Sequence, residues 1–214
     1  GTLLVSAAAL YLFSIGLIAG GIVLAPAGQP TRWFDEKQTL TSYSAALLYT
    51  SALVCFLNYV AAQHMTRLRP ASDGLAGFWL LGVAGFFVLM ADEFFVMHEG
   101  ISRFLTYRVF GLPHSTMADK LDAFIIGAYG FAGLAVLAYN WKALKHISGF
   151  FAFLATGTGF AVVSNMFDLT DATAMHVYIE EGTMILANPS FLLACFAAVV
   201  DYYRQLEIRL TSVR

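Results

Sequence analysis

The sequence predicts an all-α fold, a polytopic transmembrane helical bundle of about six helices, and three observations carry that expectation. Hydrophobic residues fill 59% of the 214 positions and charged residues only 12%, with a mean hydropathy of +0.70, outside the range of a soluble globular domain. The apolar residues gather into six long runs parted by short segments rich in proline, glycine and charge. Six helices of roughly 20 to 25 residues use most of this length, because about 20 apolar residues cross the hydrocarbon core. One integral membrane domain over 1–214 is therefore expected, with no separate soluble domain.

The chain opens at Gly1 rather than at methionine, as expected of a processed chain or one lacking a disordered start. The first span covers 2–25 and is longer than a signal-peptide core, so it reads as a helix; Pro26, Gly28 and Pro30 punctuate its exit. A polar loop with Arg32, Asp35, Glu36 and Lys37 leads to the second span, 43–63, which carries Ser51 and Asn58 among apolar neighbours. The third span is 75–98 and the fourth 121–140. Between them, 101–110 (ISRFLTYRVF) alternates aromatic and basic residues over too short a length to cross, which suits a segment lying on the membrane surface; an ordinary structured loop is the alternative. The fifth span, 147–167, presents Thr156, Gly157, Thr158 and Gly159 as a small-residue face that a neighbouring helix can approach closely. The sixth, 175–202, contains Asn188-Pro189, and proline there removes a backbone hydrogen bond and is expected to kink the helix. Asp171 and Thr173 are suited to cap its start. Cys55 and Cys195 fall inside apolar runs and read as small buried hydrophobes rather than as a disulfide or a metal pair.

A net charge of −2 and the lack of a basic stripe exclude nucleic acid as a partner. The lipid bilayer, small ligands and other membrane protein subunits remain. Arg67 and Arg69, Lys142 and Lys145, and Arg204, Arg209 and Arg214 fall on one side of the six spans, whereas the opposite loops mix signs or are acidic. The positive-inside rule then places both termini in the cytoplasm.

Chemistry concentrates at two helix ends. The third span closes with Asp92, Glu93, His98 and Glu99, and charge at that depth is costly unless paired, coordinated or hydrated. On a regular helix Asp92 and Glu99 lie within about 20° of each other, His98 about 100° further round, and Glu93 elsewhere. The sixth span opens with His176, Glu180 and Glu181, and His176 and Glu180 form an i, i+4 pair able to hold one cation. Both ends share the non-cytoplasmic side with His114, Asp119 and Asp122. Asp92, His98, Glu99, His176 and Glu180, supported by Glu93 and Glu181, are thus candidate ligands of a divalent metal such as zinc, iron or manganese. A metal with an open position could activate water for hydrolysis of a lipid or an amide. The bland alternative for the same residues is a satisfied interhelical hydrogen-bond network or a polar rim at headgroup level, with Arg103 and Arg108 pairing the acids.

The string Asp92-Glu93-x4-His98-Glu99 on one helix end, followed by Glu180-Glu181 on another, resembles a pattern of uncharacterised bacterial multi-pass membrane proteins. After Glu181 this chain has Gly-Thr-Met-Ile where that pattern continues with a further acidic residue. The resemblance implies a bacterial inner-membrane protein and no particular activity. A more distant likeness, to the seven-helix ceramidase-type metallohydrolases, rests on membrane-embedded His and Asp alone, since their His-x-x-x-His pair is absent.

Three function classes follow from the residues. The first is a membrane metalloenzyme. The second is a non-catalytic accessory subunit packed against a larger membrane complex, which long apolar surfaces and 19 phenylalanines also fit. The third is a haem- or pigment-binding protein, since His64 and His146 lie toward one face and His98 and His176 toward the other. A transporter is less favoured, because the six spans show no internal repeat and their mid-span polar residues trace no path across the bilayer.

Overall fold

A computed structural model describes residues 2–34, 38–68, 75–111, 116–168 and 173–212. Asp35, Glu36, Lys37, Arg69, His114, Asp171 and Arg214 lie outside them, and of Arg67, Asp119, Asp168 and Arg209 only the backbone is described. The order is α1 (Thr2–Val23), α2 (Thr39–Leu68), α3 (Ala76–Phe95), α4 (Met97–Phe104), a π-helical turn (Leu105–Val109), α5 (Thr116–Leu144), α6 (Phe150–Asp168) and α7 (Ala174–Ser212). Among the described residues there is no strand. Six of the helices, all but α4, are long and apolar enough to cross a membrane. Large side chains such as Leu4, Leu12, Phe124, Phe131 and Tyr139 point outward, the arrangement a lipid solvent rewards.

The bundle is organised around α2 and α7. Half of the apolar window of α2 and 61% of that of α7 are buried, against 11 to 17% for the other four. The reason is side-chain size. Ser44, Ser51 and Asn58 recur every seven residues along α2, and Ala187, Ser190, Ala194, Ala197 and Ala198 line α7; all are buried. Small residues let two backbones approach closely, which is how membrane helices associate where no hydrophobic effect separates protein from lipid. Against this pair α6 lies along α7, α3 along α2, and α1 against α7, while α5 is attached mainly through α4.

The small-residue face expected on the fifth span is half realised. A Cβ on Gly157 would fall 2.8 Å from Phe191 Cε1, so the glycine lets α6 close onto α7, whereas Gly159 meets nothing within 4 Å and Thr156 is exposed. At the opposite end of α3, buried Trp79 donates its indole N–H to the Tyr202 hydroxyl at 3.0 Å, tying α3 to α7.

Several sequence-based boundaries move, α2 and α5 each extending four to five residues beyond both ends of the expected 43–63 and 121–140. The third span ends at Phe95, not at residue 98. The 101–110 segment is divided between α4 and the π turn, with Ile101, Phe104, Val109 and Phe110 exposed. The last helix runs to Ser212 and stays helical across Pro189.

Candidate functional site

The site is made by a break in a helix. Val96 takes a left-handed backbone (φ 58, ψ 47) between α3 and α4 while its N–H still bonds the Asp92 carbonyl at 2.7 Å. A β-branched residue is strained in that region, and such strain gathers at functional sites. The consequence is geometric. On one continuous helix, residues 92 and 98 would point about 120° apart. Turned back by Val96, His98 places both its backbone N–H and its Nδ1 at 2.8 Å from the Asp92 carboxylate, on Oδ1 and Oδ2 respectively.

This corrects the regular-helix expectation that Asp92 shares a face with Glu99. Glu99 instead pairs with Arg103 one turn along α4, at the surface. Asp92 is buried, and its two oxygens are both engaged by His98.

With Nδ1 held, the other ring nitrogen faces α5, where Asp122 Oδ1 stands 3.8 Å from His98 Nε2. The result is a carboxylate–imidazole–carboxylate row, with side chains 8%, 18% and 13% exposed for Asp92, His98 and Asp122. Burial opposes charge on the imidazole, but the hydrogen bond and charge of Asp92, with the charges of Asp122 and Glu99, outweigh it and push His98 up to about 9. The row therefore favours the charged form of the imidazole.

Glu93, the next residue, turns the other way. Its carboxyl hydrogen-bonds Ser44 of α2, and Asn188 of α7 donates to the same serine hydroxyl. The adjacent acids thus serve different neighbours: Asp92 faces α4 and α5, and Glu93 joins a buried network binding α3, α2 and α7. Such a hydrogen-bonded network helps to specify packing. The Tyr11 and Ser190 hydroxyls extend the polar contacts to α1.

At the start of α7 the expected cap is present. Thr173 caps α7: its Oγ1 faces the His176 N–H at 3.4 Å, and its own N–H faces His176 Nδ1 at the same distance. This is the reciprocal pattern of a capping box, with histidine in the place usually taken by Glu or Gln. The His176 ring also lies 5.7 Å from that of Phe167 on α6. Glu180 and Glu181 are partly buried on the same helix. Helix α7 packs on α6, α2 and α1, whereas α4 packs on α5, so the two predicted halves attach to different neighbours. His64 and His146, invoked for haem, are exposed.

Among the described residues, no three His, Cys, Asp or Glu side chains converge as metal ligands. What does converge is the pair of His98 Nε2 and Asp122, with Asp92 behind. Sequence reasoning saw Asp122 at the right level but did not include it among the candidate ligands. Ser44 and Asn188 were missed as partners of Glu93, and their only signal was a polar residue inside an apolar run. Over residues 2–199 the chain matches a family described as a domain of unknown function, DUF8692. No curated protein and no solved structure matches it.

Proposed function

We propose that this chain, which belongs to the DUF8692 family, is a multi-pass membrane protein that holds a divalent cation between His98 and Asp122. The observation that carries the reading is the fixed orientation of His98: Asp92 holds Nδ1 at 2.8 Å and so turns Nε2 toward Asp122 at 3.8 Å. A carboxylate behind a histidine is the usual support of a metal-ligating imidazole, setting its tautomer and direction. The gap is slightly wider than the roughly 3.3 Å between two donors on tetrahedral zinc with bonds of about 2.0 Å. A small closure of α4 on α5 fits the ion.

Asp92 is here an orienting residue, and His98 and Asp122 are the ligands, the cation displacing the proton from His98 Nε2. Glu99, His176 and Glu180 receive no ligand role, and Glu93 and Glu181 no supporting one. An imidazole and a carboxylate suit zinc, iron or manganese. Two protein donors leave positions for water, the group a bound metal activates for hydrolysis of a lipid or an amide.

Metal analysis on protein purified natively in mild detergent tests this, alongside His98→Gln and Asp122→Asn. Near-stoichiometric zinc, iron or manganese that both substitutions remove is the expected result. Metal-free protein that also fails to bind added cobalt, or metal content unchanged in both variants, defeats the assignment.

A second reading, an accessory subunit of a larger membrane complex, draws on α5. Its apolar window is only 11% buried, and Gly130 and Gly133 meet nothing within 4 Å, leaving a close-approach surface. Native mass spectrometry from gently extracted membranes separates the readings: a fixed stoichiometry with another chain supports it, and a bare monomer counts against it.

A further inference from the structure

Away from the His98 site, and independent of it, the two cysteines meet. Cys55 of α2 and Cys195 of α7 are 140 residues apart in sequence, yet their sulfurs lie 3.5 Å from each other, both as free thiols. Each is buried, at 1% and 4% exposure. In sequence they are separate small hydrophobes; the fold makes them a pair.

The surroundings hold that pair in place. Asn58, one turn from Cys55, donates its amide N–H to the Cys195 carbonyl at 2.9 Å, which fixes the register of α2 on α7 at this level. On the other side of Cys55, a Cβ at Gly82 of α3 would lie 3.0 Å from the sulfur, so α3 backs the thiol and limits rotation away from Cys195. Ser51, Ala52, Ala194 and Ala198, all buried, keep the two backbones close. A disulfide requires sulfurs about 2.05 Å apart on closely spaced backbones. At 3.5 Å the two sulfurs are already in contact, about 1.5 Å beyond that bond length.

We propose that Cys55 and Cys195 form an oxidisable dithiol whose disulfide ties the two central helices together. The pair lies within apolar spans, away from aqueous thiols, and the next residues, Phe56 and Phe196, are exposed on the lipid-facing surface. The oxidant that fits this location is a lipid-soluble two-electron acceptor of the quinone class. Two S–H bonds break and one S–S bond forms, and the quinone takes up both electrons and both protons to become the quinol. Attack by one sulfur requires it to lose its proton first, so the reaction is slow in an apolar surround.

The test uses the full chain in lipid nanodiscs, treated with a short-chain quinone and, separately, with copper–phenanthroline. Thiols are counted by maleimide labelling after denaturation, and intact mass is recorded. The expected result is loss of both labels with a mass decrease of about 2 Da in the monomer, reversed by dithiothreitol, with a higher unfolding midpoint in the oxidised form. Cys55→Ser and Cys195→Ser each retain one label under the same treatment. Asn58→Leu, which releases the register bond, slows oxidation relative to wild type. Two labels surviving the quinone, while the chain unfolded in detergent oxidises, overturn the proposal. So does a disulfide that forms only between chains. Oxidation by copper–phenanthroline but not by quinone overturns the assignment of the oxidant.

Discussion

Replacing Asp92 by asparagine keeps an oxygen for the His98 N–H but removes the charge that holds the imidazole protonated, and the cost follows from the structure. A rise in His98 from its ordinary 6.5 to about 9, at about 1.4 kcal/mol per pH unit, sets a ceiling of roughly 3.4 kcal/mol on what this ionisation contributes to folding. The imidazole still touches water, at 18% exposure, and solvent screening reduces the share, so about 2 kcal/mol is expected. Because the folded value lies above the unfolded one, the stabilisation is complete below about pH 6.5 and disappears as pH rises through about 9. Wild-type protein in mild detergent with a chelator, unfolded thermally and followed by fluorescence, then loses about 4–8 °C of midpoint between pH 6.5 and 9.5. Asp92→Asn starts lower at pH 6.5 and is nearly flat, and the two curves converge at high pH. Parallel curves for the two proteins, or a wild-type midpoint that climbs across this interval, would refute the ion-pair reasoning.

Three further outcomes are expected. Val96→Gly relieves the left-handed β-branched residue and raises stability by about 1 kcal/mol while leaving the His98–Asp92 contact in place; a loss of stability in denaturant titration contradicts the strain argument. Gly157→Val drives a side chain into Phe191 and costs about 1–3 kcal/mol, whereas Gly159→Ala gains up to about 1 kcal/mol of helix propensity, so equal effects at the two glycines would show that α6 does not pack on α7 through residue 157. Asn188→Ala removes the donor to Ser44 and lowers stability by about 1–2 kcal/mol, detectable as a lower midpoint; no change would mean that the Glu93 network contributes nothing to holding α7.

Much of the fold was legible because solvent writes it into composition. A helix that faces lipid must be apolar around most of its circumference, so six apolar runs announce six spans whatever their partners, and each span located from the sequence contains most of the helix observed. The centre of the bundle was less legible. Ser51 and Asn58 appeared as stray polar residues in a span, and their seven-residue spacing with Ser44 acquires meaning only when α7 lies against that face. The expected fifth-span surface illustrates the same limit: Gly157 and Gly159 are two residues apart, and packing decided that the first faces a helix and the second faces outward.

The sequence by itself determined that this is a membrane bundle, and that its acids and histidines gather at helix ends, since the bilayer penalises charge within a span regardless of tertiary detail. It also singled out Asp92 and His98. The three-dimensional arrangement decided which of these residues meet. Local periodicity assumes an unbroken helix, and one left-handed residue at Val96 brings His98, otherwise about 120° away, onto Asp92 and toward Asp122. The same applies to Cys55 and Cys195, whose contact depends on the register of two helices separated by most of the chain. Spacing along a strand of sequence carries no information about such a register; close packing of small side chains sets it.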